Sequence, residues 1–261
     1  MQKVKTAERV SQDELSDNYV FQRSLLAYIE ASKIISGDIL EIGCGEGYAM
    51  EIIAPKVNKY YAIDKHQLSS DKQLKFPNVK YISSKVPPLK NISDNFFDYV
   101  ITFQVIEHIE DDALFLSEIY RVLKDKGKLI VTTPNRLMSL TRNPWHVREY
   151  TVEELEKLLC KYFQNVEKRG VYGNEKIMQY YENNKKSVEK ITKYDIFNLQ
   201  YNLPRSFLQI PYDILNRRNR KKLLEQDNQL VKSITLADYF IAEADNTCFD
   251  LFYVAEKRLI H

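Results

Sequence analysis

Three glycines at alternate positions, Gly43, Gly45 and Gly47, close the apolar run Ile39-Leu40-Glu41-Ile42, and an acid, Asp64, ends the next run, Tyr60-Tyr61-Ala62-Ile63. Where a strand gives way to glycines, the missing Cβ atoms let the backbone approach a bound molecule closely. A carboxylate at the tip of the neighbouring strand stands where an α/β nucleotide site places its acceptor for both ribose hydroxyls. This chemistry fits an adenosine-bearing ligand. A diphosphate fits poorly, because the last glycine of the fingerprint G-x-G-x-x-G falls at Tyr48, and Glu41 and Glu46 flank the loop with negative charge. A cationic ligand suits these residues better. Proton transfer falls to the four imidazoles, His66, His108, His146 and His261, since an imidazole accepts a proton near neutral pH. His146 lies in Asn143-Pro144-Trp145-His146-Val147-Arg148-Glu149 beside the single tryptophan. It reads as a general base or substrate orienter, or else as a loop-fixing histidine ahead of a capping box made by Thr151 and Glu154.

Alternating apolar strands and amphipathic helices between residues 38 and 170 predict a parallel, doubly wound sheet with ligands at the carboxyl ends of its strands. Residues 1–36 read as a cap of one or two helices with Leu25, Leu26, Ile29, Ile34 and Ile35 facing the core. Glu46 onward is expected to open the helix after the first strand. The helix 151–161 and the strand Phe163–Glu167 are followed by a long gap before the best candidate for a last strand, Asp250–Glu256. A structureless loop of that length is uncommon in a compact domain, so the gap predicts a helical insert. The expected organisation is therefore a cap over 1–36, a core over 37–172, an insert or lid over 173–246 and a final core strand within 247–261. Tyr180, Tyr181, Tyr194, Phe197, Tyr201, Phe207 and Tyr212 supply the insert with rings that either wall an acceptor pocket or form its own small core.

The chain has 261 residues, 44% of them hydrophobic, enough for one domain with an elaboration. Its apolar runs are too short to span a bilayer, and Met1–Thr6 lacks an apolar signal core, so a cytoplasmic protein is expected. Cys44, Cys160 and Cys248 have no metal-type spacing and read as free thiols. A net charge of +2 and no recognisable appendage argue against a nucleic-acid partner. Residues 203–222 place apolar side chains ahead of the basic cluster Arg217-Arg218-Asn219-Arg220-Lys221-Lys222. That pattern suits a helix lying on an anionic membrane at the inner face, a solvated helix end, or a phosphate site.

The motif Glu41-x-Gly43-x-Gly45-x-Gly47 resembles the first motif of class I S-adenosylmethionine-dependent methyltransferases, and the resemblance continues in order. Ser93–Phe103 is similar to that family's turn and fourth strand, Gln104-Val105-Ile106-Glu107-His108-Ile109 to the loop under the cofactor, and Lys128–Asn135 to the fifth strand. The resemblance implies a Rossmann-like, seven-stranded, mostly parallel sheet with an antiparallel last strand. It also implies S-adenosylmethionine as cofactor and a methyl acceptor that is a small molecule, or a glycan or lipid-linked hydroxyl. It places Glu41, Gly43 and Gly45 on the methionine side, Asp64 at the ribose, Ser84 at the adenine and Gln104 on the floor below the methyl, with Cys44, Gly47, Lys65 and Val105 as further cofactor-binding residues. Ser84 stands in for an acid that many relatives carry after the third strand. His146 and His108 are the catalytic candidates. In some relatives E-x-x-E-H binds a divalent metal. Here Gln104 replaces the first acid, a neutral carbonyl is a poorer partner for a hard cation, and no metal ligands are assigned. The rival readings are a metal-assisted RNA 2′-O-methyltransferase and a cofactor-binding protein without turnover.

Overall fold

Strand β1 (Asp38–Ile42) is buried along nearly its whole length, as a strand covered on both faces must be. It pairs in parallel with β2 (Lys59–Asp64) and with β4 (Phe97–Phe103). Beyond β2 lies β3 (Val79–Ser83), and beyond β4 lies β5 (Leu123–Pro134), both parallel. The far half of the sheet is antiparallel. β8 (Asp250–Lys257) runs against β5, β6 (Phe163–Gly173) against β8, and β7 (Tyr239–Glu243) against β6, giving the order β3-β2-β1-β4-β5-β8-β6-β7. This is the α/β, Rossmann-like, doubly wound sheet that the sequence predicts, with eight strands in place of seven. The additional strand is β7, cut from the end of the segment expected to be helical throughout.

The computed structural model describes residue 10 and residues 13–68, 75–195 and 197–258. The expectations for Met1–Thr6 and for His261 lie outside the described residues. On one face of the sheet, Ile39, Ile101 and Ile130 pack under the helix α1 (Asn18–Ala31). On the other, Leu40, Ile42, Val100, Leu129 and Val131 pack against α3 (Asp112–Val122) and α4 (Val152–Leu159). The alternation of side chains along each strand sorts them between these two cores. Leu26 and Ile35 are buried as predicted, whereas Ile34 is 45% exposed, because the helix stops at Ala31 and the chain turns.

Helix boundaries follow local chemistry. The Asp111 side chain accepts from the Leu114 N–H to start α3. Thr151 and Glu154 form the reciprocal capping box that starts α4. The first crossover helix, α2 (Met50–Ile53), begins later than Glu46, since the three left-handed glycines turn residues 43–49 through successive tight turns, closed by the Gly47 N–H on the Cys44 carbonyl and the Met50 N–H on the Gly47 carbonyl. Between β6 and β8, residues 173–246 supply α5 (Glu175–Thr192), α6 (Leu199–Asn202), α7 (Arg205–Gln226) and α8 (Asn228–Ser233) before β7. Among the described residues no helix is long and apolar enough to cross a membrane.

Candidate functional site

A cavity of about 1670 Å³ opens at the carboxyl ends of β1, β2, β4 and β5, roofed by α1, α5 and α7. Gly43, Gly45 and Gly47 all have positive φ, of 86°, 57° and 70°. They serve different ends. A Cβ on Gly43 would lie 2.3 Å from Val105 Cγ2, so this glycine lets the two loops meet. A Cβ on Gly47 would press on Leu68 and Met50, whereas one on Gly45 would meet nothing within 4 Å. Gly45 thus presents bare backbone to open space, as close approach of a ligand requires. Its N–H donates to Asp64 Oδ2 at 2.9 Å, and the His66 N–H donates to Asp64 Oδ1 at 2.8 Å. Two backbone donors therefore hold the Asp64 carboxylate in place while the residue lines the cavity. Cys44, Lys65 and Ser84 also line it, with the Ser84 N–H bonded to the Asp64 carbonyl oxygen at 2.9 Å. Burial, with the charges of Glu41 and Asp64, pushes the Cys44 thiol up.

Glu41 and Gly47 are placed differently from the other predicted site residues, since neither forms part of the cavity wall. Glu41 faces the apolar core beneath α1, where the Tyr28 hydroxyl donates to its Oε1 at 2.7 Å and the Tyr60 hydroxyl to its Oε2. Burial pushes its carboxyl up to about 7, against the pull of those two hydroxyls. Glu41 ties α1, β1 and β2 together behind the glycine loop.

Gln104 and Val105 form part of the cavity floor. Gln104 is held at φ 57°, a conformation that is uncommon outside glycine. Its N–H donates to the Thr132 carbonyl at 2.9 Å, and its Nε2 to Thr132 Oγ1 at 3.3 Å. Beyond it the two catalytic candidates meet, with the His108 and His146 rings 4.9 Å apart, edge to face. Asn143 Oδ1 accepts from the Trp145 N–H at 3.0 Å, which turns its Nδ2 toward His146 Nε2 at 2.9 Å. His146 Nε2 is therefore an acceptor, and Nδ1 carries the proton donated to Glu149 Oε1 at 2.6 Å. His108 has the same tautomer, with Nδ1 3.0 Å from the Trp145 carbonyl oxygen, which can only accept. The basic lone pair of His108 is thus on Nε2. In His146 that lone pair already receives an Asn143 N–H.

Glu107, His108 and His146 place one ligand atom each within 4.8 Å of one another. Glu107 is buried, takes a hydrogen bond from Thr133 Oγ1 at 3.0 Å, and burial raises its carboxyl, offset by the two imidazoles. A cation would have to displace Asn143 or Glu149 from His146 to use it as a ligand, so the three do not form an open ligand set.

Two features of the wall carry no signal in the sequence. Arg23 of α1 and Asp250 at the start of β8 form a buried ion pair at 2.9 Å, with Arg23 over the rings of Tyr19 and Phe249. Residues so far apart in sequence announce no contact. The second is the tether of the insert to the histidine loop. The Trp145 indole N–H donates to Asp213 Oδ1 at 3.0 Å, and Arg205 Nη1 to the His146 carbonyl at 3.2 Å.

Residues 40–131 match the family model described as a methyltransferase domain. A protein of Mycobacterium tuberculosis described as a probable S-adenosylmethionine-dependent methyltransferase is 36% identical over 161 residues, 59% of this chain and 58% of that protein. A ubiquinone biosynthesis O-methyltransferase of Rickettsia bellii is 31% identical over 124 residues, 46% of this chain and 50% of that one. The chain thus spans less than two thirds of the length of these curated relatives. The solved structure of an S-adenosylmethionine-dependent methyltransferase from Thermotoga maritima aligns with a TM-score of 0.54 at 16% identity, covering 92% of each chain, a likeness of fold. In its sheet order, and in a left-handed glycine loop facing an anchored aspartate, the chain has the fold of class I S-adenosylmethionine-dependent methyltransferases, and its residues 40–131 are similar in sequence to a methyltransferase domain.

Proposed function

We propose that this protein transfers a methyl group from S-adenosylmethionine to a hydroxyl of a small molecule, or of a glycan or lipid-linked acceptor. The observation that carries the reading is the layout of one cavity, with the Asp64 carboxylate and the bare Gly45 backbone on one side and His108 on the other. The residues fit the cofactor. Asp64 can accept both ribose hydroxyls while its own position is fixed by Gly45 and His66, and the open space at Gly45 admits the ligand's approach. Ser84 borders the adenine side, Gly43 the methionine side and Gln104 the floor, with Cys44, Lys65 and Val105 on the wall of the same cavity.

The cofactor supplies a methyl group on a positively charged sulfur. The protein's part is to align the acceptor oxygen, keep water out and take the hydroxyl proton. His108 Nε2 is the base, because Trp145 fixes its tautomer and the residue borders the cavity. His146 is a positioning residue whose chain from Glu149 to Asn143 holds the loop carrying Trp145. An oxygen acceptor is supported by this imidazole base, and the Rickettsia relative is itself named an O-methyltransferase.

The test incubates the protein with methyl-labelled cofactor and fractionated host extract and identifies the labelled product by mass. A product with a new O-methyl group, absent with His108→Gln, is expected. Calorimetric saturation with NAD, together with no heat from S-adenosylmethionine or its demethylated product, overturns the reading.

A further inference from the structure

Helix α7 presents an outward stripe that the reaction does not use. Phe207, Ile210 and Ile214 are 72%, 68% and 38% exposed. They recur at spacings that put them on one face, and Arg218, Lys221 and Lys222, all exposed, continue the same face toward the carboxyl end. Buried Asp213, Asn219 and Leu223 occupy the opposite side. The segment before the helix adds Tyr194, Phe197 and Tyr201, 76%, 70% and 61% exposed. Apolar exposure this concentrated marks an interaction surface. The charge is equally uneven. Residues 182–222 hold ten Lys and Arg against four Asp and Glu, a net +6, whereas the whole chain carries +2, so the remainder is −4.

We propose that this face, α7 with Tyr194, Phe197 and Tyr201 ahead of it, is a docking surface for an anionic lipid bilayer. An amphipathic helix lies in the interface with its apolar side chains at the acyl boundary and its cations among headgroup phosphates. The stripe supplies both, with Phe207, Ile210 and Ile214 for the first and Arg218, Lys221 and Lys222 for the second. A nucleic acid would satisfy the cations but would leave the exposed isoleucines in water. The negative remainder of the molecule is repelled by the same membrane, which orients the docked protein. Another edge of α7, through Leu208, Pro211, Tyr212 and Leu215, lines the cavity. Docking by the stripe therefore sets the rim of the cavity at headgroup level, where the polar end of an amphiphile is within reach. The contact depends on this face alone and stands or falls separately from the methyl transfer.

The experiment is cosedimentation of the full chain with vesicles of phosphatidylcholine alone and of phosphatidylcholine with phosphatidylglycerol, at low and high salt. Binding to the anionic vesicles only, weakened by salt, is expected. Each cation at such a surface is worth about fivefold in partitioning, so Lys221→Gln with Lys222→Gln should lower it about 25-fold. Phe207→Ser with Ile210→Ser should lower it at both salt concentrations. These side chains are exposed, and far-UV circular dichroism checks that each variant is folded. Equal binding to neutral vesicles, no binding to either, or anionic binding that both double variants leave unchanged overturns the proposal. So does a single-stranded RNA oligonucleotide that displaces the protein from vesicles while the Phe207/Ile210 variant keeps full affinity for them.

Discussion

The Nδ1 atom of His108 lies 3.0 Å from the carbonyl oxygen of Trp145. Because a carbonyl only accepts, this contact fixes the imidazole proton on Nδ1 and the basic lone pair on Nε2, and it favours His108 as the base over His146, the histidine that the sequence singles out for that role. His108→Gln is expected to lower kcat by about 10²- to 10⁴-fold, the range for loss of a general base, and to remove the acidic limb of the pH–rate profile. His146→Gln should lower kcat less and keep that limb, since only the loop's support is weakened. Steady-state kinetics across pH on the identified acceptor checks both. A retained acidic limb in His108→Gln, lost in His146→Gln, would reverse the assignment.

Gly43 and Gly45 should separate stability from binding. Gly43→Ala puts a methyl 2.3 Å from Val105 Cγ2 at a positive φ, so the loops must part, and thermal unfolding should shift down by several degrees. Gly45→Ala meets no atom and carries only the cost of its left-handed backbone, about 1 kcal/mol. Its methyl enters the space assigned to the cofactor, so calorimetry with S-adenosylhomocysteine should show the larger loss of affinity there relative to the change in stability.

The core of the fold was legible because its signals are local. Strands that are apolar throughout, a glycine triplet and an acid at the tip of β2 each reflect a constraint acting within a few residues. The additional strand β7 was not legible, since Tyr239–Glu243 has an exposed face and gains its identity from pairing with β6. The cavity residues Cys44, Gly45, Asp64, Lys65, Ser84, Gln104, Val105, His108 and His146 do converge. Glu41 matched a motif by position, but its placement depends on the hydroxyls of Tyr28 and Tyr60, which only the packed sheet and α1 bring to it. The same limit hid the choice between His108 and His146, because tautomers are set by a backbone carbonyl and an amide whose positions no residue pattern encodes.

Glu41 should make the protein less stable in mild alkali than in mild acid. Its carboxyl, raised by burial to about 7 in the folded protein, takes its ordinary value near 4.5 when unfolded. The folded state therefore binds the proton more tightly. The associated stability is complete below about pH 4.5 and is lost as pH rises through 7, up to about 3 kcal/mol. Glu41→Gln removes this group, so the fall in Tm between pH 5 and pH 8 should flatten in the variant. An unchanged slope would mean that the carboxyl is ionised in the folded protein throughout.

Asp17 slopes the other way. Its side chain is fully buried at the join between the N-terminal cap and the insert, and its Oδ1 accepts from Arg217 Nη1 at 2.6 Å and Arg220 Nη1 at 2.9 Å. Burial alone would raise the carboxyl, but the hydrogen bond from Arg217 and the charge of Arg220 outweigh it and hold it below the usual value of 3.8. Its contribution is present above that value and is lost as pH falls through the lower folded value. Removing one member of a buried ion pair leaves the others uncompensated, at about 3–5 kcal/mol. Asp17→Ala should therefore lower Tm strongly at neutral pH, and by less as pH falls below 3.8 and through the lower folded value. Because Arg217 and Arg220 belong to α7, the loss should also loosen α7 from α1, read as faster amide exchange in residues 205–226 than in β1 and β4. Equal exchange in both regions would mean that the cap and the insert are held by their apolar contacts alone.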